Sequence, residues 1–147
     1  MALSISKKWL AVAERSEKAP IVSIYRVDVE KKEDGESRKS DAKVLKKRKT
    51  ICSLEINKQK EFVSMAFAPR NEKLLVTLTC EHEHVQGIYL WQVDRQKFIA
   101  MQTLYHPTGL AFGTQVSFSN VDSNVILVTG NNTYKYYINK DNTGLSY

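Results

Sequence analysis

Cys80, His82 and His84 alternate within Cys80-Glu-His-Glu-His84, the one place where residue type and spacing suggest a metal site. Thiolate and imidazole are zinc ligands, and alternation along an extended strand sets such residues on one side. A structural zinc takes four ligands, and the remaining histidine, His106, has no second cluster around it. The segment therefore reads as a polar loop between two strands, and neither a metal nor a cofactor is assigned.

A second chemistry is electrostatic. Five of the seven residues from Lys43 to Lys49 are basic: Lys43, Lys46, Lys47, Arg48 and Lys49, with Val44 and Leu45 between. Such a run can meet acidic tails of tubulin, nucleic acid or a nuclear-import receptor, or be a solvated face. A nucleic-acid groove favours interleaved aromatics for stacking, and the run contains none. Catalysis has no comparable signal. The chain lacks a Gly-rich phosphate loop, a nucleophile elbow and a His-Glu-x-x-His motif, so no catalytic residue is expected.

Residues of these kinds need a scaffold. The chain has 147 residues, 42% hydrophobic and 26% charged, with a formal net charge of +6. This is a globular composition, about one ordinary domain in length. The excess of cations suits an acidic partner without choosing it. Cys52 and Cys80 read as free thiols in a reducing compartment. The first ten residues carry Lys7 and Lys8 inside any would-be apolar segment, so they are no secretory signal. No apolar run approaches the ~20 residues of a membrane span. The expectation is a cytosolic, soluble chain.

Short runs rich in Val, Ile, Thr and aromatics predict strands at 9–13, 21–27, 62–67, 74–79, 88–93, 115–118, 125–129 and 133–138. Turn residues separate them: Ala-Pro-Arg-Asn at 68–71, Ser-Asn-Val-Asp at 119–122 and Gly-Asn-Asn at 130–132. The reading is all-β. The runs also repeat. The stretch Phe67 to Thr77 aligns with Phe118 to Thr129, with one extra residue expected in the turn. Ile24-Tyr25-Arg26-Val27-Asp28 matches Leu90-Trp91-Gln92-Val93-Asp94, and Lys135-Tyr136-Tyr137-Ile138-Asn139 matches less well. Tyr25, Trp91 and Tyr136 thus share one aromatic position, with Phe67 and Phe118 sharing another. Tyr137 should face the opposite way from Tyr136. The Trp91–Tyr136 interval fits a ~40–45-residue propeller blade, and the longer Tyr25–Trp91 interval holds the charged insertion 30–42, expected to be unpaired.

Met65-Ala-Phe67-Ala-Pro69, Leu74-Leu-Val-Thr77 and Ile88-Tyr-Leu-Trp91-Gln-Val-Asp94 together resemble the blade of the WD-repeat β-propeller family. The Gly-His dipeptide is absent and Asp does not directly follow Trp91, so only Trp91 carries over from that family's buried polar tetrad. Lys8 to Tyr25, Lys47-Arg-Lys-Thr50, Glu61 to Pro69 and Val128-Thr-Gly-Asn131 resemble the amino-terminal propeller region of the cilia- and flagella-associated protein 57 family and of related axonemal WD-repeat proteins.

The resemblance implies a partial propeller of about three four-stranded antiparallel blades: 1–51 with the insertion, 62–104, and an incomplete 114–147. It implies a noncatalytic scaffold of the cytoskeleton, in the axoneme of a cilium or flagellum, docking inner-arm dynein or neighbouring regulators on doublet microtubules. Two alternatives stand beside it: a cytoplasmic WD-repeat adaptor of another pathway, and a basic nucleic-acid-binding β domain. The repeat alignment reads the chain as entering mid-repeat and stopping where an outer strand should form. Further blades are therefore expected from its own longer chain or from a partner.

Overall fold

The computed structural model describes residues 1–14, 20–30, 42–51, 61–82, 85–105, 113–138 and 145–146. Among the described residues twelve strands form three four-stranded antiparallel sheets, each a meander in chain order. The first sheet holds β1 (Ala2–Leu3), β2 (Trp9–Glu14), β3 (Ile21–Glu30) and β4 (Ala42–Ile51). The second holds β5 (Glu61–Phe67), β6 (Leu74–His82), β7 (Val85–Gln92) and β8 (Lys97–Tyr105). The third holds β9 (Gly113–Phe118), β10 (Val125–Gly130), β11 (Thr133–Ile138) and the two-residue β12 (Leu145–Ser146). Among the described residues no helix is long and apolar enough to cross a membrane.

The repeat is written into the register. Leu3 pairs with Leu10 and Leu10 with Tyr25; Phe67 pairs with Leu75 and Leu75 with Trp91; Phe118 pairs with Ile126 and Ile126 with Tyr136. Each triplet is one cross-strand row with its aromatic on the third strand. A bulge recurs beside that row. The register of β3 against β4 shifts between Ile24 and Tyr25, and that of β7 against β8 between Leu90 and Trp91. Extra residues at matched places bend matched outer strands alike.

The hairpin turns match as well. Ala68 N–H bonds the Leu74 carbonyl and Leu74 N–H the Asn71 carbonyl; Ser119 N–H bonds the Val125 carbonyl and Val125 N–H the Asp122 carbonyl. The extra residue expected in the second turn is therefore not there. Both turns have the same length, and Thr77 is equivalent to Val128 rather than Thr129. The shared threonine misleads the alignment by one residue, because hydrogen-bonded turn geometry fixes the offset between the strands. The first turn of the chain, from Ser4 to Trp9, closes through Ser4 N–H to the Trp9 carbonyl and Trp9 N–H to the buried Ser4 Oγ. Lys7 in this turn and Gln96 in the β7–β8 turn adopt left-handed backbone, with φ of 60° and 53°.

Two further expectations are corrected. Residues 80–82 are not loop, because β6 runs to His82 and Cys80 pairs with Gln86. The cause is cross-strand bonding described below, which holds this hairpin together almost to its tip. Glu30 and Ala42, the two ends of the segment expected to be unpaired, pair with each other at the end of the β3–β4 ladder. Residues 31–41 between them lie outside the described residues.

Strand alternation gives the second sheet two apolar faces, and both are covered. Leu74, Val76, Leu78, Ile88 and Leu90 pack with Val116, Phe118, Ile126, Val128 and Tyr136 of the third sheet. Leu75, Tyr89, Trp91 and Val93 pack with Ala11, Val22 and Ile24 of the first. A sheet buried on both faces by sheets of the same kind is the packing of consecutive propeller blades.

Candidate functional site: seams and rim of a stacked-sheet scaffold

Among the described residues, the buried polar side chains of the second sheet, Thr77, Thr79, Glu81 and Gln86, lie along its seams with the other two. On the second sheet's face toward the first, the Trp91 indole N–H donates to Thr77 Oγ1 at 3.0 Å. Tyr89 stacks near Trp91, ring centroids 6.2 Å apart, and donates its hydroxyl to the buried carboxylate of Glu81. Thr79 Oγ1 donates to the Gly87 carbonyl at 3.3 Å. These bonds cross from β6 to β7 inside a buried layer, where an unpaired donor or acceptor costs ~1–3 kcal/mol. They account for the length of the hairpin. On the first sheet, Ser23 and Tyr25 both donate to Glu14, at 2.9 and 3.0 Å. Positions equivalent to Thr77 are Val12 and Val128, which have no hydroxyl to offer an aromatic partner.

Between the second and third sheets the Gln86 side chain does the joining. Its Nε2 donates to the Gly113 carbonyl at 2.8 Å, and its Oε1 accepts the Gly113 N–H at 2.7 Å. Gly113 is needed there: a Cβ would collide with Val128 Cγ1 and press on Gln86 Oε1 at 3.3 Å. Ser64 Oγ accepts the Val116 N–H at 3.1 Å across the same seam.

The first and second sheets are tied at one end by a strap between turns. Ser6 donates its backbone N–H to Glu72 Oε1 at 2.5 Å and its hydroxyl to Oε2 at 2.6 Å. These bonds, the side-chain one first, hold the Glu72 carboxyl below the usual carboxylate range, with a smaller contribution from the charge of Lys8.

The residues singled out in the sequence fall as follows. Phe67, Trp91, Phe118 and Tyr136 are buried, with Trp91 3% and Tyr136 2% exposed. Tyr25 is half-buried. Tyr137 is 44% exposed and carries Lys135 Nζ 5.2 Å from its ring centroid. The basic run lies on β4, where Lys43 pairs with Val29, Lys46 with Arg26, Lys47 with Tyr25 and Lys49 with Ile24; Arg48 falls at the bulge. Cys80 is half-buried and in no disulfide, His82 ends β6, and His84 lies outside the described residues. No group of three potential metal ligands exists among the described residues. Sequence reasoning missed Thr77 as the partner of Trp91, although it was quoted in the motif. It also missed Glu81, Gln86, Gly113 and the Ser6–Glu72 strap.

No family model matches the chain. A chain in a crystal structure of the mitotic checkpoint complex superposes over 98% of this one with a TM-score of 0.60 at 14% identity. The fold is that of part of a WD-type β-propeller. This chain covers 36% of that propeller chain. A curated relative, cilia- and flagella-associated protein 57 of Mus musculus, is 27% identical over 135 residues, 92% of this chain. This chain spans only 9% of that relative's length.

Proposed function

We propose that this chain is a noncatalytic scaffold segment of a cilia-associated WD-repeat protein, its three sheets serving as consecutive blades with bounds near 1–51, 62–104 and 114–147. The supporting observation is likeness to a cilia- and flagella-associated protein along almost the whole chain, joined to a propeller fold whose side chains are spent on seams. In finer terms the segment belongs to the cytoskeleton of the axoneme, where it docks inner-arm dynein or neighbouring regulators on doublet microtubules. Rigid sheets with exposed turns suit such work, because the turns present fixed surfaces while the seams hold their spacing.

The test is localisation of the tagged protein in ciliated cells, with proximity labelling of its neighbours. Enrichment along the axoneme with dynein or doublet proteins labelled supports the reading. Diffuse cytoplasmic signal with trafficking or ubiquitin-ligase neighbours would replace it by the adaptor reading, and nuclear signal with nucleic-acid recovery by the nucleic-acid-binding one.

A further inference from the structure

One rim of the first two sheets is basic, and the run on β4 is not its source. The turn from Ser4 to Lys8 is fastened to the turn from Ala68 to Lys73 by the Ser6–Glu72 bonds. The turn from Val93 to Gln96 adjoins the second of these through Val93 N–H to the Lys73 carbonyl at 2.7 Å. On these turns and the residue that follows them stand Lys7, Lys8, Arg70, Lys73, Arg95 and Lys97, all exposed. The same stretch holds two carboxylates, and both already have partners. Glu72 accepts from Ser6; Asp94 meets Lys73 Nζ at 3.6 Å and accepts the Arg95 N–H at 3.0 Å. Lys73 keeps 67% of its side chain in solvent despite that ion pair. The equivalent turn of the third sheet, Ser119 to Asn124, carries no Lys or Arg and has Asp122. The positive charge is therefore local to these three adjoining turns of the first two sheets.

We propose that this rim is a docking surface for an acidic peptide segment. The inference rests on the scaffold reading above and names the chemistry of one partner. Five cations on three adjoining turns, with Lys97 beside them, create a field that steers and orients a glutamate- or aspartate-rich strand. The backbone beneath them is fixed by turn hydrogen bonds and by the strap, so little ordering is lost on binding. A polypeptide fits better than a nucleic acid on two counts. None of the three turns has an aromatic on which a base could stack. Glu72 and Asp94 retain acceptor capacity for the N–H groups of a peptide backbone, which a sugar-phosphate chain lacks.

The experiment is fluorescence anisotropy of a labelled oligoglutamate peptide with the full chain, at low and raised salt. Binding that weakens with salt, and falls about tenfold or more in K7E/K8E/R95E, is the expected result, since three attractions become three repulsions and tenfold is about 1.4 kcal/mol. R70A/R95A, which introduces no new charge, should weaken binding in the same direction and guards against a folding defect in the triple variant. Absence of peptide binding overturns the proposal. So does binding unchanged by both rim variants, loss confined to K46E/K47E/R48E on β4, or a single-stranded oligonucleotide of equal charge held as tightly. None of these results bears on ciliary localisation, so the scaffold reading stands or falls separately.

Discussion

Gln86 and Gly113 exchange two hydrogen bonds across the seam between the second and third sheets, a side-chain amide pairing with a backbone amide as a neighbouring strand would. Both residues are buried. Gln86→Ala strands a backbone donor and acceptor at once, at ~1–3 kcal/mol for each buried group. We expect a loss of about 2–4 kcal/mol in urea unfolding of the full chain, followed by tryptophan fluorescence. Gly113→Ala should be comparably damaging, because the added methyl meets Val128. A loss below about 0.5 kcal/mol for both variants would mean that this seam is open in solution.

Trp91→Ala should cost about 3–5 kcal/mol, as for other large aromatics removed from a core. Tyr137→Ala should stay within about 1 kcal/mol, since that ring is 44% exposed and faces away from the second sheet. Trp91→Phe tests the indole N–H separately: it retains a ring, leaves Thr77 without its donor, and should fall between the two. Equal losses for the two alanine variants in a denaturation series would contradict the observed register.

The equivalence of Trp91 with Tyr25 and Tyr136 is legible in the sequence because a strand repeat preserves residue type at matched strand positions. All eight runs read as strands became strands. The outer strand β8 was not read, although Phe98, Ile99 and Met101 stand within it. It follows its partner through the tight turn at Val93 to Gln96, which contains neither Gly nor Pro to mark it. Gln86 was illegible for a different reason. Its partner is the backbone of Gly113, and a bond to backbone leaves no trace in the partner's residue type. The strap from Ser6 to Glu72 depends on two sheets meeting at one end, which no local pattern encodes.

Tyr89→Phe removes the hydroxyl that satisfies Glu81. The carboxylate would lose a buried partner, so destabilisation of about 1–3 kcal/mol is expected in thermal or urea unfolding. Gly87→Ala should disturb the same group from the other side, because a Cβ there would lie 2.5 Å from the Tyr89 ring and 2.9 Å from Glu81 Oε1. If Tyr89→Phe is neutral and Gly87→Ala is not, the crowding matters and the hydroxyl bond does not.

The Ser6–Glu72 strap gives a pH dependence of definite sign. The folded state holds the Glu72 carboxyl below its ordinary range, chiefly through the Ser6 hydroxyl bond. Its contribution is therefore complete above the unfolded carboxylate pKa and is lost as pH falls through the folded value. The group is largely solvated, so the effect is small. Glu72→Gln should flatten the acid limb of the stability profile and leave stability near neutral pH lower by less than about 1 kcal/mol. An acid limb identical in both proteins would show that the turns are not fastened through this carboxylate.

Lys7 and Gln96 hold left-handed backbone, which costs an L-residue roughly 1–2 kcal/mol and costs glycine little. Both lie in the turns that make the basic rim. Lys7 is thus subject to opposed demands: glycine would relax its turn, less the extra freedom glycine has when unfolded, yet would delete one of the rim's charges. Stability and electrostatic recognition pull this one position toward different amino acids. A library selected for heat resistance alone would drift away from lysine here, while one selected for capture of an acidic peptide would keep it.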